Sequence, residues 1–506
     1  GIRVGAGQSI SAVSGIVTYY GDGSKLAGVE SGVFNFTASG TIANGATVII
    51  KTDGTVGVVT QTGSANPSAG TPVVFESAAS ALFSTVYDSA NGKVVIAYRD
   101  EGNSSYGTAI VGTVSGTSIS FGTPVVFDST AAAFISAIYD SSNEKVVIAY
   151  RDDGNSFHGT AVVGTVSGTS ISFGSPVLFQ SATTNDIGAT FDSTNGKVVI
   201  AYRDSGNSSY GTAIVGTVSG TSISFGSETV FESATTFNSS LTFDSTNGKV
   251  VIAYRDSANS DYGTAVVGTV SGTSISFGSP VVFNSNGNTQ YISAAYDSTN
   301  GKVVIAYADY GNSYYGTAIV GTVSGTSISF GTAVVFESAS ASHVSALYDS
   351  TNEKVVIAYR DGGNSNYGTA IIGTVSGTSI SFVTPVVFES GTAQDMSLAH
   401  DSSSGKTVIA YEDVSNSSYG TAVVFSHDTL GTNLTSENYI GIAGEAISNG
   451  ATGKINIATG INEGQTGLTT GQKYYIQNNG SLATSAGSPS VVAGTAISST
   501  KIIVKG

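Results

Sequence analysis

The stretch KVVIAYRD, Lys93 to Asp100, decides the fold because its first six letters return along the chain at a fixed spacing. KVVIAY ends at Tyr98, Tyr150, Tyr202, Tyr254, Tyr307 and Tyr359, and a variant, KTVIAY, ends at Tyr411; the steps are 52, 52, 52, 53, 52 and 52 residues. So regular a period means one structural unit stacked on copies of itself. In the second copy ISAIYDS (135–141) leads into KVVIAYRD (145–152), then HGTAVVGTVS (158–167), then GTSISFG (168–174). β-Branched and aromatic residues fill short runs, and turns such as DSTNGK (192–197) separate them. That is the grammar of strands and hairpins, with Asn-Gly at a tip where positive φ costs little. No helical period of 3.6 runs through the repeat.

Four strands of roughly 5–7 residues, each with its turn, fill such a unit. Seven units of four antiparallel strands predict an all-β, seven-bladed β-propeller. A straight β-solenoid is the rival, but its coils are usually shorter and need not close. The ends of the array favour the ring. It opens on an orphan GTPVVFES (70–77), the closing piece of a blade, and it ends on YGTAVVF (419–425) without the GTSISF segment seen in the other copies. An N-terminal strand completing an unfinished last blade closes the ring and removes the exposed edges of an open sheet.

The copies disagree in one place. GTVSGTSISF is nearly invariant, whereas the stretch between VVFES and the following turn changes every time, from AASALFS to ATTNDIG to NGNTQYIS. Four residues before the next aromatic or His stand Phe83, Ile135, Ile187, Ser239, Ile292, Val344 and Met396, mostly apolar and expected to pack. One position earlier stand Leu82, Phe134, Asp186, Asn238, Tyr291, His343 and Asp395. Alternation along a strand predicts that this second ring points away from the packed one. In a propeller the connection runs from the outermost strand of one blade to the innermost of the next, so these seven positions gather at one mouth of the channel, the usual place for a ligand. They are either drift in exposed loops or a ligand-binding face presenting Phe134, Tyr291 and His343 among acids and amides.

Composition narrows the chemistry. Charged residues are 11% of 506, against roughly a quarter in ordinary domains, and the formal net charge is −16. Phosphate-backbone binding needs clustered Lys and Arg, so nucleic acid is not an expected partner. No apolar run reaches the roughly 18 residues of a bilayer span, and no membrane insertion is expected. With no Cys there is no thiolate metal site or Cys nucleophile. Gly1 in place of Met points to a processed or partial chain.

Arg99, Arg151, Arg203, Arg255 and Arg360 share one slot, with Ala308 and Glu412 in its other two copies. An arginine ring could grip carboxylated sugars, but an Arg-Asp pair at a strand end more commonly braces a loop. The D-x-G-N-S-x-Y loops, such as Asp100/Asn103/Tyr106, resemble the Asp-box of sialidase-like propellers but lack its S-x-D-x-G-x-T-W form. Asx turns account for them better than a Ca²⁺ site does. His158, His343, His400 and His427 have no metal-type spacing, and no carboxylate pair has a setting of its own. No catalytic residue, metal or cofactor is therefore assigned, and the protein is expected not to be an enzyme.

The flanks carry a resemblance. ANGATVIIKTDGTVGVV (43–59) is a hairpin with Asp53-Gly54 at its tip, and GLTTGQKYYIQNNGSLAT (467–484) and AGTAISSTKIIVKG (493–506) follow the repeats. These segments resemble a small β domain of tailed-phage structural and fibre proteins. The opening IRVGAGQSISAVSGIVTYYGDGSKLAGV (2–29) and the repeats resemble segments of marine, cyanophage-like virion proteins. The resemblance implies an attachment or stem segment (1–35) and one small β-sandwich or barrel-like domain (36–69 plus 429–506), split by an inserted propeller (70–428). It implies a virion surface location, with other virion proteins and a host cell-surface glycan or protein as partners, and leaves homo-oligomerisation open. The function expected is a tail-fibre-like, non-enzymatic appendage for host recognition. The alternatives are a capsid decoration without ligand and a glycan-cleaving propeller of sialidase type.

Overall fold

A computed structural model of the chain describes residues 32–62, 67–426, 431–487 and 489–505. Among them the regular structure is β-strand with five single-turn 3₁₀ segments and no α-helix. The chain divides into two compact units, residues 66–428 and the two flanks up to 65 and from 429.

The central unit is a seven-bladed β-propeller. In blade one, residues 80–88 form the innermost strand and pair antiparallel with Lys93–Asp100, which pairs with Tyr106–Ser115. The fourth, outermost layer has two pieces. Ser118–Phe121 covers one half of Tyr106–Ser115, and the start of Val125–Asp140 covers the other. That same strand then runs on to become the innermost strand of blade two. The variable connection expected as an exposed loop is therefore extended backbone, part of a single 16-residue strand in six of its seven copies. In the copy with the 53-residue step it divides into Val281–Asn284 and Thr289–Asp297.

The repeated motif forms this layer because both faces of its strand are covered by other blades. Val94 to Tyr98 are all buried. Val94, Ile96 and Tyr98 pack against Val408 and Ala410 of blade seven, and Val95 and Ala97 against Val146 and Ile148 of blade two. A strand buried on both faces reads as a continuous apolar run. Its Tyr keeps one polar tip, which must be satisfied when buried. The Tyr98 hydroxyl donates to Glu76 at 3.2 Å and Tyr411 to Glu389 at 2.9 Å, each acid standing on the outer strand of the preceding blade. Innermost strands are linked around the ring by serines. Ser84, Ser136, Ser240, Ser293 and Ser397 each accept an N–H from the next inner strand at 2.8–3.0 Å.

Closure occurs in blade seven. Tyr419–Ser426 pairs with Ser68–Ala69 and with the start of Val73–Asp88, so residues from the beginning of the array supply the missing outer strand. One further contact seals six of the seven junctions. A Cβ on Gly122 would collide with the carbonyl oxygen of Thr169 in the next blade's hairpin, and Gly70, Gly174, Gly226, Gly278 and Gly331 repeat that approach. Blade seven lacks the hairpin, and the residue facing its place is Val383, 46% exposed.

Among the described residues the flank unit has two five-stranded sheets and a two-stranded one. The first runs Val33–Thr37, Thr452–Asn456, Tyr439–Ala443, Thr47–Ile50, Val56–Val58, drawing strands from both flanks. The second is built from the C-terminal flank alone. Ile49 and Ile442 of the first share a core with Tyr474, Ile476 and Ile502 of the second, which is a sandwich arrangement. The stem expected over 1–35 lies outside the described residues as far as residue 31, and Val33 to Asn35 correct its boundary, since they pair with Asn456 to Lys454 as an edge strand of this unit.

Candidate functional site

Each long strand breaks register at one spot. In blade one Ala81 pairs with Arg99 and Ser84 with Ala97, so Leu82 and Phe83 together face one residue. This is a β-bulge, and it recurs in every blade. At each bulge the first residue is left-handed. Leu82, Phe134, Asp186, Asn238, Tyr291, His343 and Asp395 have φ between 48° and 57°, and none is glycine.

The structure brings this ring together. The Asp395 carboxylate accepts the Leu82 N–H at 3.3 Å, Asp186 accepts the Asn238 N–H at 3.3 Å, and His343 Nδ1 lies 3.0 Å from both the Asp395 N–H and its carboxylate. Tyr291 and His343 stack with centroids 5.0 Å apart. Asp395 and Asp186 thus each cap an amide of the next blade that the bulge takes out of the ladder, and His343 engages Asp395 of the next blade through Nδ1. Burial pushes the Asp395 carboxyl up, but the His343 hydrogen bond and charge, the Leu82 N–H and Arg99 outweigh it and hold the pKa below its ordinary value. All seven side chains are half-buried, not exposed as loop drift would leave them.

Alternation also fails here. Leu82 with Phe83, and Phe134 with Ile135, line one cavity of about 210 Å³ together with Ile187, Asp395 and Met396. The two rings expected on opposite sides share a space, because a bulge turns two consecutive side chains toward the same face.

The arginine slot stands beside the ring, and its members are engaged. Arg151 lies over Phe134 at 4.8 Å and binds Asp153 at 2.6 Å. Arg203 binds Asp186 at 2.9 Å, and Phe237 is sandwiched between Arg203 and Arg255 at 4.6 and 4.3 Å. Arg99 pairs with Glu101, and Arg360 donates to Gln394 at 3.4 Å. The adjacent Asp loops are Asx-capped turns, with Asp100 accepting from the Asn103 N–H at 3.1 Å and Asp204 from the Gly206 N–H at 2.9 Å. Among the described residues no three His, Cys, Asp or Glu side chains are grouped to hold a metal ion.

Two residues that the sequence comparison passed over belong to this region. Tyr310 and Tyr314 of blade five meet edge to face, with centroids 4.2 Å apart. Burial, then Tyr291 and Tyr314 beside it and a hydrogen bond to Tyr291, raise the pKa of the Tyr310 hydroxyl. The available signal was that the same slots carry Ser205 and Ser209 in blade three.

No family model and no curated protein matches the chain. Among solved structures, a crystal structure of AofleA from Arthrobotrys oligospora, a mutant with three arginines changed to alanine, is similar at 10% identity, covering 67% of this chain and 94% of that one with a TM-score of 0.40.

Proposed function

We propose that the protein is a non-enzymatic virion surface appendage of tail-fibre type, whose propeller binds a glycan or protein of the host surface at the end of the channel that carries the bulges. The observation that carries this is the left-handed ring. Seven non-glycine residues hold a conformation that costs about 1–3 kcal/mol each where glycine would be relaxed, and their side chains differ from blade to blade while the surrounding repeat hardly changes. A bend alone would be served by one residue type throughout. Strain retained with varied side chains supports selection for what those side chains contact. Asp186, His343 and Asp395 have a task within the ring, so Leu82, Phe134, Asn238 and Tyr291 are the members left to meet a ligand.

The virion assignment rests on the resemblance of the flanks and repeats to phage fibre proteins. Two measurements test the whole. Glycan-array binding by the full chain should fall at least tenfold on Phe134→Ala or Tyr291→Ala, with thermal stability nearly unchanged, and imaging of particles should place the protein on their surface. A silent array and no effect of these variants on attachment to host cells would reject recognition. The contacts that Asp186, His343 and Asp395 make within the ring favour ligand-free decoration as the second reading, and that result would select it.

A further inference from the structure

Blade five departs from the repeat in four ways, and all four fall at one spot. It has one residue more than its sisters, in Asn284-Ser285-Asn286-Gly287-Asn288. Ala308 replaces the arginine of the shared slot, Tyr310 stands where other blades carry Glu, Asp, Ser, Gly or Val, and Tyr314 stands in a mostly small or polar position. The longer segment lies against the tyrosine turn. The Asn288 carbonyl accepts the Tyr310 N–H at 3.1 Å, and the Asn286 carbonyl approaches Gly311 so closely that no side chain fits there. Independent drift would scatter four changes over the blade.

Their combined effect is an aromatic surface without a cation over it. In blade two the arginine covers Phe134, and in blade three it binds Asp186. In blade five the residue opposite Gln290 is the buried Ala308, so no guanidinium from this slot reaches Tyr291. Tyr291 stacks on His343 instead, and near it Tyr310 meets Tyr314, which is 48% exposed. Asn288 and Arg255 border the group, with Arg255 donating to Asn288 Oδ1 at 3.0 Å.

The geometry points to a single carbohydrate-docking platform on blade five, built on Tyr310, Tyr314 and Tyr291, for the apolar face of a neutral hexopyranose. Tyrosine offers a flat apolar body with a polar tip, which suits a ligand with one C–H face and hydroxyls at its rim. Neutrality follows from charge. The nearest cation, Arg255, is already engaged by Asp261 at 3.7 Å and by the Phe237 ring, and a chain of net charge −16 repels acidic sugars. The inference rests on the recognition reading above and narrows it to one blade and one ligand class.

The test uses saturation-transfer NMR and titration of the full chain with methyl hexopyranosides and oligosaccharides made from neutral hexoses. Tyr310→Ser with Tyr314→Ser gives blade five the residues of blade three, so the fold has a tested solution for both slots. The expected result is a loss of binding of about tenfold or more, equivalent to about 1.4 kcal/mol, in that variant and in Ala308→Arg. Phe157→Ser, the same slot in blade two, should bind like the parent. Equal thermal midpoints guard against unfolding. Binding unchanged in the double-serine variant but lost in Phe134→Ala overturns the platform and leaves recognition at the ring intact. A parent chain that binds no neutral hexoside but binds other glycans also overturns the platform alone, whereas a parent that binds no glycan or host surface rejects recognition with it.

Discussion

At the bulge positions the backbone and the side chain make opposite demands, and substitutions there should separate them. A residue with φ near 50° is strained most when its Cβ is branched. Leu82→Val removes one methylene yet is expected to cost about 1–2 kcal/mol, more than the area lost would predict. Asn238→Gly is expected to leave stability unchanged or raise it by up to about 1 kcal/mol, since the hydrogen bond that reaches Asp186 comes from the Asn238 backbone. Denaturation midpoints of the two variants decide the matter, and a destabilised Asn238→Gly would show that the side chain packs at no strain. Asp395 adds a pH dependence. Its pKa is lowered in the fold by His343, the Leu82 N–H and Arg99 working against burial. The carboxylate therefore contributes stability that is complete above its unfolded pKa of about 3.9 and is lost as pH falls through the lower folded value. Asp395→Asn should be less stable than the parent at neutral pH, and the gap should close in that acid window. A gap that persists at the lowest pH would refute the linkage. The seven positions were legible in the sequence because the repeats disagree there, but their conformation was not, since none is a glycine or part of a turn motif.

At the scale of the element, one strand serves two blades, and this is where inference by alternation reaches its limit. The pairing register runs unbroken from Ser84 to Asp88, and the alternation of faces ends at the extra residue of the bulge. Strand count, hairpin positions and the latch follow from spacing and turn chemistry, which are local. The serine hydroxyls that join inner strands, and the Tyr310–Tyr314 pair, depend on which residues of neighbouring elements meet, and no single repeat encodes that. The glycines after SISF are an intermediate case. Five of the six SISF copies are followed by Gly and one by Val383, a difference that looks like noise until the neighbouring hairpin is seen to be missing there. Gly122→Ala should press a methyl into the Thr169 carbonyl and cost about 1–3 kcal/mol, whereas Val383→Gly should cost no more than about 1 kcal/mol. Thermal unfolding of both variants measures the difference. Equal effects would mean that the close approach between blades is not what keeps the glycine.

At the scale of the molecule, stability depends on a join between residues far apart in the chain. Blades one to six have their outer strands supplied by the segment that leads onward, but blade seven borrows Ser68–Ala69 and the start of Val73–Asp88 from the beginning of the array. Without that join Tyr419–Ser426 would become an open edge, and buried Val423, Val424 and Phe425 would lose a neighbour. Closure orders a loop of several hundred residues, and loop entropy rises only logarithmically with length, so the cost is spread thinly over seven blades. It also means that opening the join should be the first step of global unfolding. Because the chain has no cysteine, one engineered pair tests this without competing thiols. Ser68 and Ser426 stand directly opposite in the ladder, within the Cα separation of about 4.4–6.8 Å that a disulfide bridges. Ser68→Cys with Ser426→Cys should therefore oxidise to a monomeric cross-linked species of faster mobility on a non-reducing gel. The oxidised form should resist unfolding by up to about 5 kcal/mol more than the reduced one, with the gain appearing mainly as slower unfolding if opening comes first. Failure of the pair to oxidise in the native protein would remove the latch. Oxidation with no change in unfolding rate would keep the latch and place the first opening elsewhere in the ring.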